Sequence, residues 1–211
     1  YFYSKYSDYE DPFMTKYEEN ESYTIYKLKD ALPIAYSIPE IFAKEVFVSK
    51  TTIAGSLDYQ NDIFKKLTGI DDLYTSVDTI KYEKTKTVTA GQTGHYYMTV
   101  TGNAPEDLNL TKENDTFTKT FSGLNKHNHI VDLGYLKEGE SINIDAELEM
   151  TAEIFVMDYN KLSEGISKLN NNSISLSHYT DTSIEGDINA SGGSVLFTFA
   201  YDPGWTLYVD G

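Results

Sequence analysis

The chain contains no cysteine and no arginine among its 211 residues. The first absence excludes disulfides, thiol chemistry and any cysteine-based zinc site. The second removes the planar fork that grips phosphate or carboxylate with two parallel hydrogen bonds, because all 17 basic residues are lysine. No stretch approaches the run of about 20 apolar residues that a membrane-crossing helix needs, and no secretory leader pattern is visible. If a parent protein crosses a membrane, its spans therefore lie outside these residues. Positive charge is also scarce, with 33 acidic side chains against 17 basic ones and a net charge of -16 at pH 7. That balance excludes the basic surface that nucleic acid requires and disfavours close docking to anionic lipid headgroups. Missing too are a G-x-S-x-G elbow, a P-loop, a dinucleotide fingerprint, an H-E-x-x-H helix and a complete EF-hand loop. Serine hydrolase and nucleotide-dependent chemistry thus lack a motif, and no cofactor is expected.

What is present is material for a core. Hydrophobic residues make up 40% of the chain, enough for one large domain or two small ones. The pattern changes near residue 87. Residues 1–87 read as a mixed α/β part, with strands over 22–29 and 34–38 and a short helix over 39–47. A firmer helix follows, with Ser56 as N-cap, Ile63, Phe64 and Leu67 on one face, and Gly69 at the stop. Residues 88–211 read as a β-sandwich-like part, with short strands over 95–100, 116–121, 128–133, 141–148, 153–157, 173–178, 183–188 and 195–199. In the clearest of these, Ile142, Ile144, Ala146 and Leu148 alternate with Asn143, Asp145, Glu147 and Glu149, which assigns one face to core and the other to water. One helix interrupts the run at about 159–170, opened by Asp158 and closed by three asparagines, with Gly165 inside it at a cost of about 1 kcal/mol relative to alanine. The expected fold is mainly β with a few short helices: an antiparallel sandwich or jelly-roll-like core with a smaller mixed N-terminal part.

Three constellations carry possible chemistry. His127 and His129 stand two apart on a strand and point to the same side, where Asp132 or His95 would complete a metal site; an exposed turn explains them as well. Glu147 and Glu149 share a strand face like a glycosidase carboxylate pair, and a solvated face explains them as well. The third is aromatic. Tyrosine occurs 18 times and tryptophan once, and Tyr201, Trp205 and Tyr208 cluster with Asp202 and Asp210. Such a group stacks on sugar rings while its carboxylates bond hydroxyls. Alternation along a strand puts Trp205, Leu207 and Val209 on one face, however, which is also the pattern of core.

The last seventeen residues hold the strongest local signal. Runs at 195–199 and 206–209 flank Asp202-Pro203-Gly204, a turn in which proline fixes φ and glycine admits positive φ. The chain stops at Asp210-Gly211, itself a hairpin dipeptide, so it is expected to be a piece of a longer protein. The ending Tyr201-Asp-Pro-Gly-Trp-Thr-Leu-Tyr-Val-Asp-Gly211 resembles a signature of the bacterial YfhO family. These are polytopic membrane proteins related to multi-spanning glycosyltransferases that use lipid-linked sugars. Asp30-Ala-Leu-Pro-Ile-Ala-Tyr36, Leu57-Asp-Tyr-Gln-Asn-Asp-Ile-Phe-Lys-Lys-Leu-Thr-Gly69 and Asp132-Leu-Gly-Tyr-Leu-Lys-Glu-Gly139 are similar to further segments of that family in the same order.

The resemblance implies an extracytoplasmic domain of a bacterial cell membrane protein that glycosylates an envelope polymer such as lipoteichoic acid. The domain itself would be non-catalytic, positioning acceptor or acting as scaffold. Its implied partners are its own transmembrane domain and an envelope glycan or teichoic acid. Two rivals stand beside this reading. A free-standing secreted carbohydrate-binding module or adhesin predicts an exposed aromatic strip, whereas a scaffold predicts a buried Trp205. A secreted glycoside hydrolase requires carboxylates from separate strands to converge in one cleft.

Overall fold

The computed structural model describes residues 2–4, 12–40, 42, 57–112, 118–124, 130–190, 193–200 and 202–210. In chain order, the strands of the first part are β1 (Phe2–Ser4), β2 (Met14–Glu19), β3 (Thr24–Leu28) and β4 (Ala35–Pro39). The helix α1 (Leu57–Thr68) precedes β5 (Tyr74–Thr89), β6 (Gly94–Gly102), β7 (Asp107–Lys112), β8 (Thr118–Ser122), β9 (Ile130–Leu136) and β10 (Ser141–Met157). The helix α2 (Tyr159–Asn170) then leads to β11 (Ser175–Tyr179), β12 (Ile184–Asp187) and β13 (Gly193–Phe197). Among the described residues the fold is mainly β with two short helices of twelve residues each, as the residue patterns predict.

The main sheet is organised by β10. Ile142, Ile144 and Ala146, and after an interruption Met150, Ala152, Ile154 and Val156, are buried, so one face of this seventeen-residue strand is apolar on both sides of Leu148. Along one edge runs β5. The opposite edge is shared end to end, β7 taking residues 142–146 and β6 taking 151–157. Beyond them lie β8, paired with β7, and β9, paired with β6. Between Asp145 and Met150 the ladder slips, and there Leu148 breaks the alternation and is 37% exposed. A bulge increases local twist and bends the strand, and the sheet curls here into a half-barrel. Both arms bury their side chains in a single cluster that includes Ile80, Tyr96, Met98, Leu108, Val131, Leu136 and Ile144.

A smaller core sits beside it. Tyr36, Ile38, Phe42 and Leu169 pack together, with Ile63, Leu67 and Leu196 against them. β4 lies in the middle of this unit, pairing with β13 on one side, while its Ser37 N–H donates to Asn172 O at 2.9 Å and its Ala35 O accepts from Ile174 N–H at 3.0 Å. The helices meet where Gly165 is buried. A Cβ at that position would lie 2.7 Å from Phe64 Cε2 and 3.1 Å from Thr68 Cγ2, so the glycine that weakens α2 locally is what lets the Phe64 ring lie on it. Both helix ends form as their sequences require. Asp158 accepts from the Lys161 N–H at 3.1 Å, and Gly69, at φ 73°, donates its N–H to Lys65 O at 2.7 Å.

Some local expectations change. The strands expected at 141–148 and 153–157 are one, and β2, β5 and β7 carry too few apolar residues to announce themselves. β5 runs through residue 87, where the composition shifts. Residues 206–209 form no strand: a strand exists only where a neighbour takes its backbone groups, and no described strand runs beside this segment. Of the helix expected over 39–47, Pro39 belongs instead to β4, Glu40 and Phe42 are helical, and the rest, like Ser56, lies outside the described residues.

Candidate functional site

Two surfaces carry aromatic rings beside carboxylates. The first is the C-terminal turn. After β13 the chain continues alongside residues 33–34, with the Thr198 N–H donating to Ile34 O at 3.0 Å and its hydroxyl to Pro33 O at 3.1 Å. The turn then closes as expected: the Trp205 N–H donates to Asp202 O at 3.0 Å, and the Gly204 N–H to Asp202 Oδ1 at 2.7 Å. This geometry brings Trp205 back over Phe199, with centroids 5.2 Å apart, and Phe199 in turn meets Phe197 at 5.3 Å. The result is a row of three rings.

Trp205 is 41% exposed and Tyr208 is 79% exposed. The expectation of a core tryptophan is corrected, because the strand that would have carried it inward is not formed. Among the sequence candidates, Asp202 and Trp205 are joined by the turn. Tyr208 and Asp210 lie further along and make no hydrogen bond or ring contact with the row among the described residues. Tyr201 lies outside the described residues, as do His127 and His129.

The second surface is on the outer face of β6. His95 Nε2 lies 2.7 Å from Asp132 Oδ1. The pair exists because β9 carries an extra residue opposite Tyr96 and Tyr97: Gly134 turns through φ 90°, and its N–H donates to the same Asp132 oxygen at 2.8 Å. Burial pushes the Asp132 carboxyl up, but His95, Lys119 and the Gly134 N–H together outweigh that and hold it below its ordinary value of 3.8. The His95 ring stacks on Tyr97 at 4.8 Å and 18°, and Tyr97 meets the edge of Tyr74 at 5.5 Å. Phe13 approaches His95 at 6.5 Å and packs edge-on against Tyr159 at 4.5 Å. Phe13, in the turn before β2, thus links His95 of the main sheet to Tyr159 of α2. Sequence reasoning named His95 and Asp132 only as helpers to a metal site. Their pairing depends on a bulge whose one sequence signal is Gly134.

Among the described residues no three histidine or acidic side chains are placed to hold a metal ion. The Glu147 carboxylate accepts the Glu106 N–H at 2.7 Å, and Glu147 and Glu149 both sit on the exposed side of β10. Half-exposed rings next to ordered carboxylates suit the apolar face and the hydroxyl edge of a sugar.

A curled antiparallel sheet with two short helices and aromatic surface rows defines a β-rich domain, and no helix among the described residues is long and apolar enough to cross a membrane. Compared with models of known families, the chain matches the bacterial membrane protein YfhO over residues 3–211. It therefore belongs to the YfhO family and is part of a membrane protein. Comparison with curated proteins and with solved structures gave no match.

Proposed function

We propose that this chain is the extracytoplasmic domain of a multi-spanning envelope glycosyltransferase-like protein, and that it positions the acceptor polymer, such as lipoteichoic acid, without itself catalysing transfer. Family membership over nearly the whole chain supports the membrane setting and counts against a free-standing secreted module. The observation that carries the acceptor-positioning role is the half-exposed Trp205 at the end of the Phe197–Phe199–Trp205 row. A pure scaffold would have buried that ring. In this reading a sugar or polyol unit of the acceptor lies on the row, and Asp202, fixed by its own turn, marks one end.

The test is Trp205→Ala in the intact membrane protein in its own bacterium, with glycosylation of lipoteichoic acid read by mass spectrometry. Loss of an anchor aromatic worth about 1.4 kcal/mol lowers acceptor affinity about tenfold, so glycosylation falls while the amount of protein in the membrane stays the same. Unchanged glycosylation would remove Trp205 from the acceptor path. Transferase turnover by the isolated chain would contradict the non-catalytic role.

A further inference from the structure

The two helices create a cleft that neither aromatic surface uses. Because Gly165 admits the Phe64 ring, the C-terminal turns of α1 and α2 finish side by side against β4 and leave a cavity of about 450 Å³. Its lining is mixed: Ile38, Leu67 and Leu169 are apolar, and Ser37, Thr68, Lys168, Asn171 and Asn172 are polar. That size and that division match small-ligand sites.

Charge selects the ligand class. Two helix C-termini bring the negative ends of their dipoles to the rim. The one cation on the lining is already engaged, Lys168 Nζ lying 3.0 Å from Glu164 and donating to Thr68 O at 3.4 Å. An anion gains little in such a place. Hydroxyl groups gain more, since an asparagine amide both donates and accepts.

We infer that this cleft is a binding site for a neutral polyhydroxylated ring, a single pyranose in size. The ring's apolar face lies on Leu67 and its hydroxyls meet the Asn171 amide. The site is separate from the Trp205 row and stands whether or not that row holds acceptor.

The test is a titration of the ¹⁵N-labelled chain with methyl α-D-glucopyranoside and, separately, with sn-glycerol 3-phosphate, followed by NMR. The sugar should give saturating shifts at the amides of Ser37, Leu67 and Asn171. The expected Kd is on the order of 1 mM, the strength that about 13 non-hydrogen atoms reach at ordinary ligand efficiency. Asn171→Ala, which removes one lining group and leaves the fold alone, should weaken binding about threefold or more, as a lost hydrogen bond does. The inference is overturned if the cleft amides do not move, if they respond to glycerol phosphate and not to the sugar, or if Asn171→Ala binds as the parent does. Shifts confined to the Trp205 indole would also overturn it, while leaving the acceptor-positioning role intact.

Discussion

Gly165 shows how a residue that looks like a defect becomes a contact. In an isolated helix, alanine there is favoured by about 1 kcal/mol. In the fold its methyl would press on Phe64 Cζ and sit 2.7 Å from Cε2, and overpacking of this kind costs about 1–3 kcal/mol. Gly165→Ala should therefore lower stability in urea by about 1 kcal/mol, and Phe64→Leu should couple to it, recovering most of that loss; a net gain would mean that the ring moves aside freely. Asp132 carries the second prediction at this scale. Its carboxyl is held below 3.8, so the unfolded chain takes up this proton first as pH falls. The stabilisation is complete above that pH and disappears as pH drops through the folded value. Its side chain is 45% exposed, so the contribution is that of a surface pair, under about 1 kcal/mol. Asp132→Asn should flatten the acid limb of stability measured between about pH 5 and 2, the span over which a depressed carboxylate titrates. An unchanged limb would show that other carboxylates set it. Neither contact was legible in the sequence, because Gly165 needs a partner 101 positions away and Asp132 needs the bulge at Gly134.

Among the elements, the helices and β10 were readable because each writes its own period. Asp158, Gly69 and the even-numbered apolar residues of β10 are local signals, and the structure uses each as expected except Leu148, which the bulge leaves exposed. β5 was not readable. It lies on the edge of the sheet and is mostly polar, with Ile80 and Val88 as its buried side chains and Val77 and Tyr82 exposed. Its Lys81, Lys84 and Lys86 are what an exposed edge carries to avoid pairing with another chain. Two anchors thus hold sixteen residues. Ile80→Ala should cost about 2–5 kcal/mol in chemical denaturation, whereas Lys84→Ala should stay within about 0.5 kcal/mol. Equal effects would mean that the ladder hydrogen bonds, and not these anchors, hold the strand. Residues 206–209 err in the other direction. Their alternation is that of a strand, but period alone cannot supply the neighbour a strand needs, and Leu207, Tyr208 and Val209 stay exposed.

For the whole molecule, composition set wide limits that the fold then filled. The missing cysteine and arginine and the net charge of -16 excluded classes of chemistry, and four short matched segments carried the family that the full-length comparison establishes. The candidate site was legible only in part: the turn and its tryptophan could be read, but the exposure of that ring and the His95–Asp132 cluster belong to the assembled sheet. The central claim concerns placement, that this domain of a membrane protein faces outward. The absence of native cysteine makes that directly measurable. Asp181 is exposed at the tip of the β11–β12 hairpin, whose turn is closed by the Thr180 N–H to Ser183 O bond of 2.8 Å. With Asp181→Cys in the intact membrane protein, a membrane-impermeant maleimide should label living cells as fully as it labels lysed ones. Labelling that appears only after lysis would place the domain inside and contradict the account.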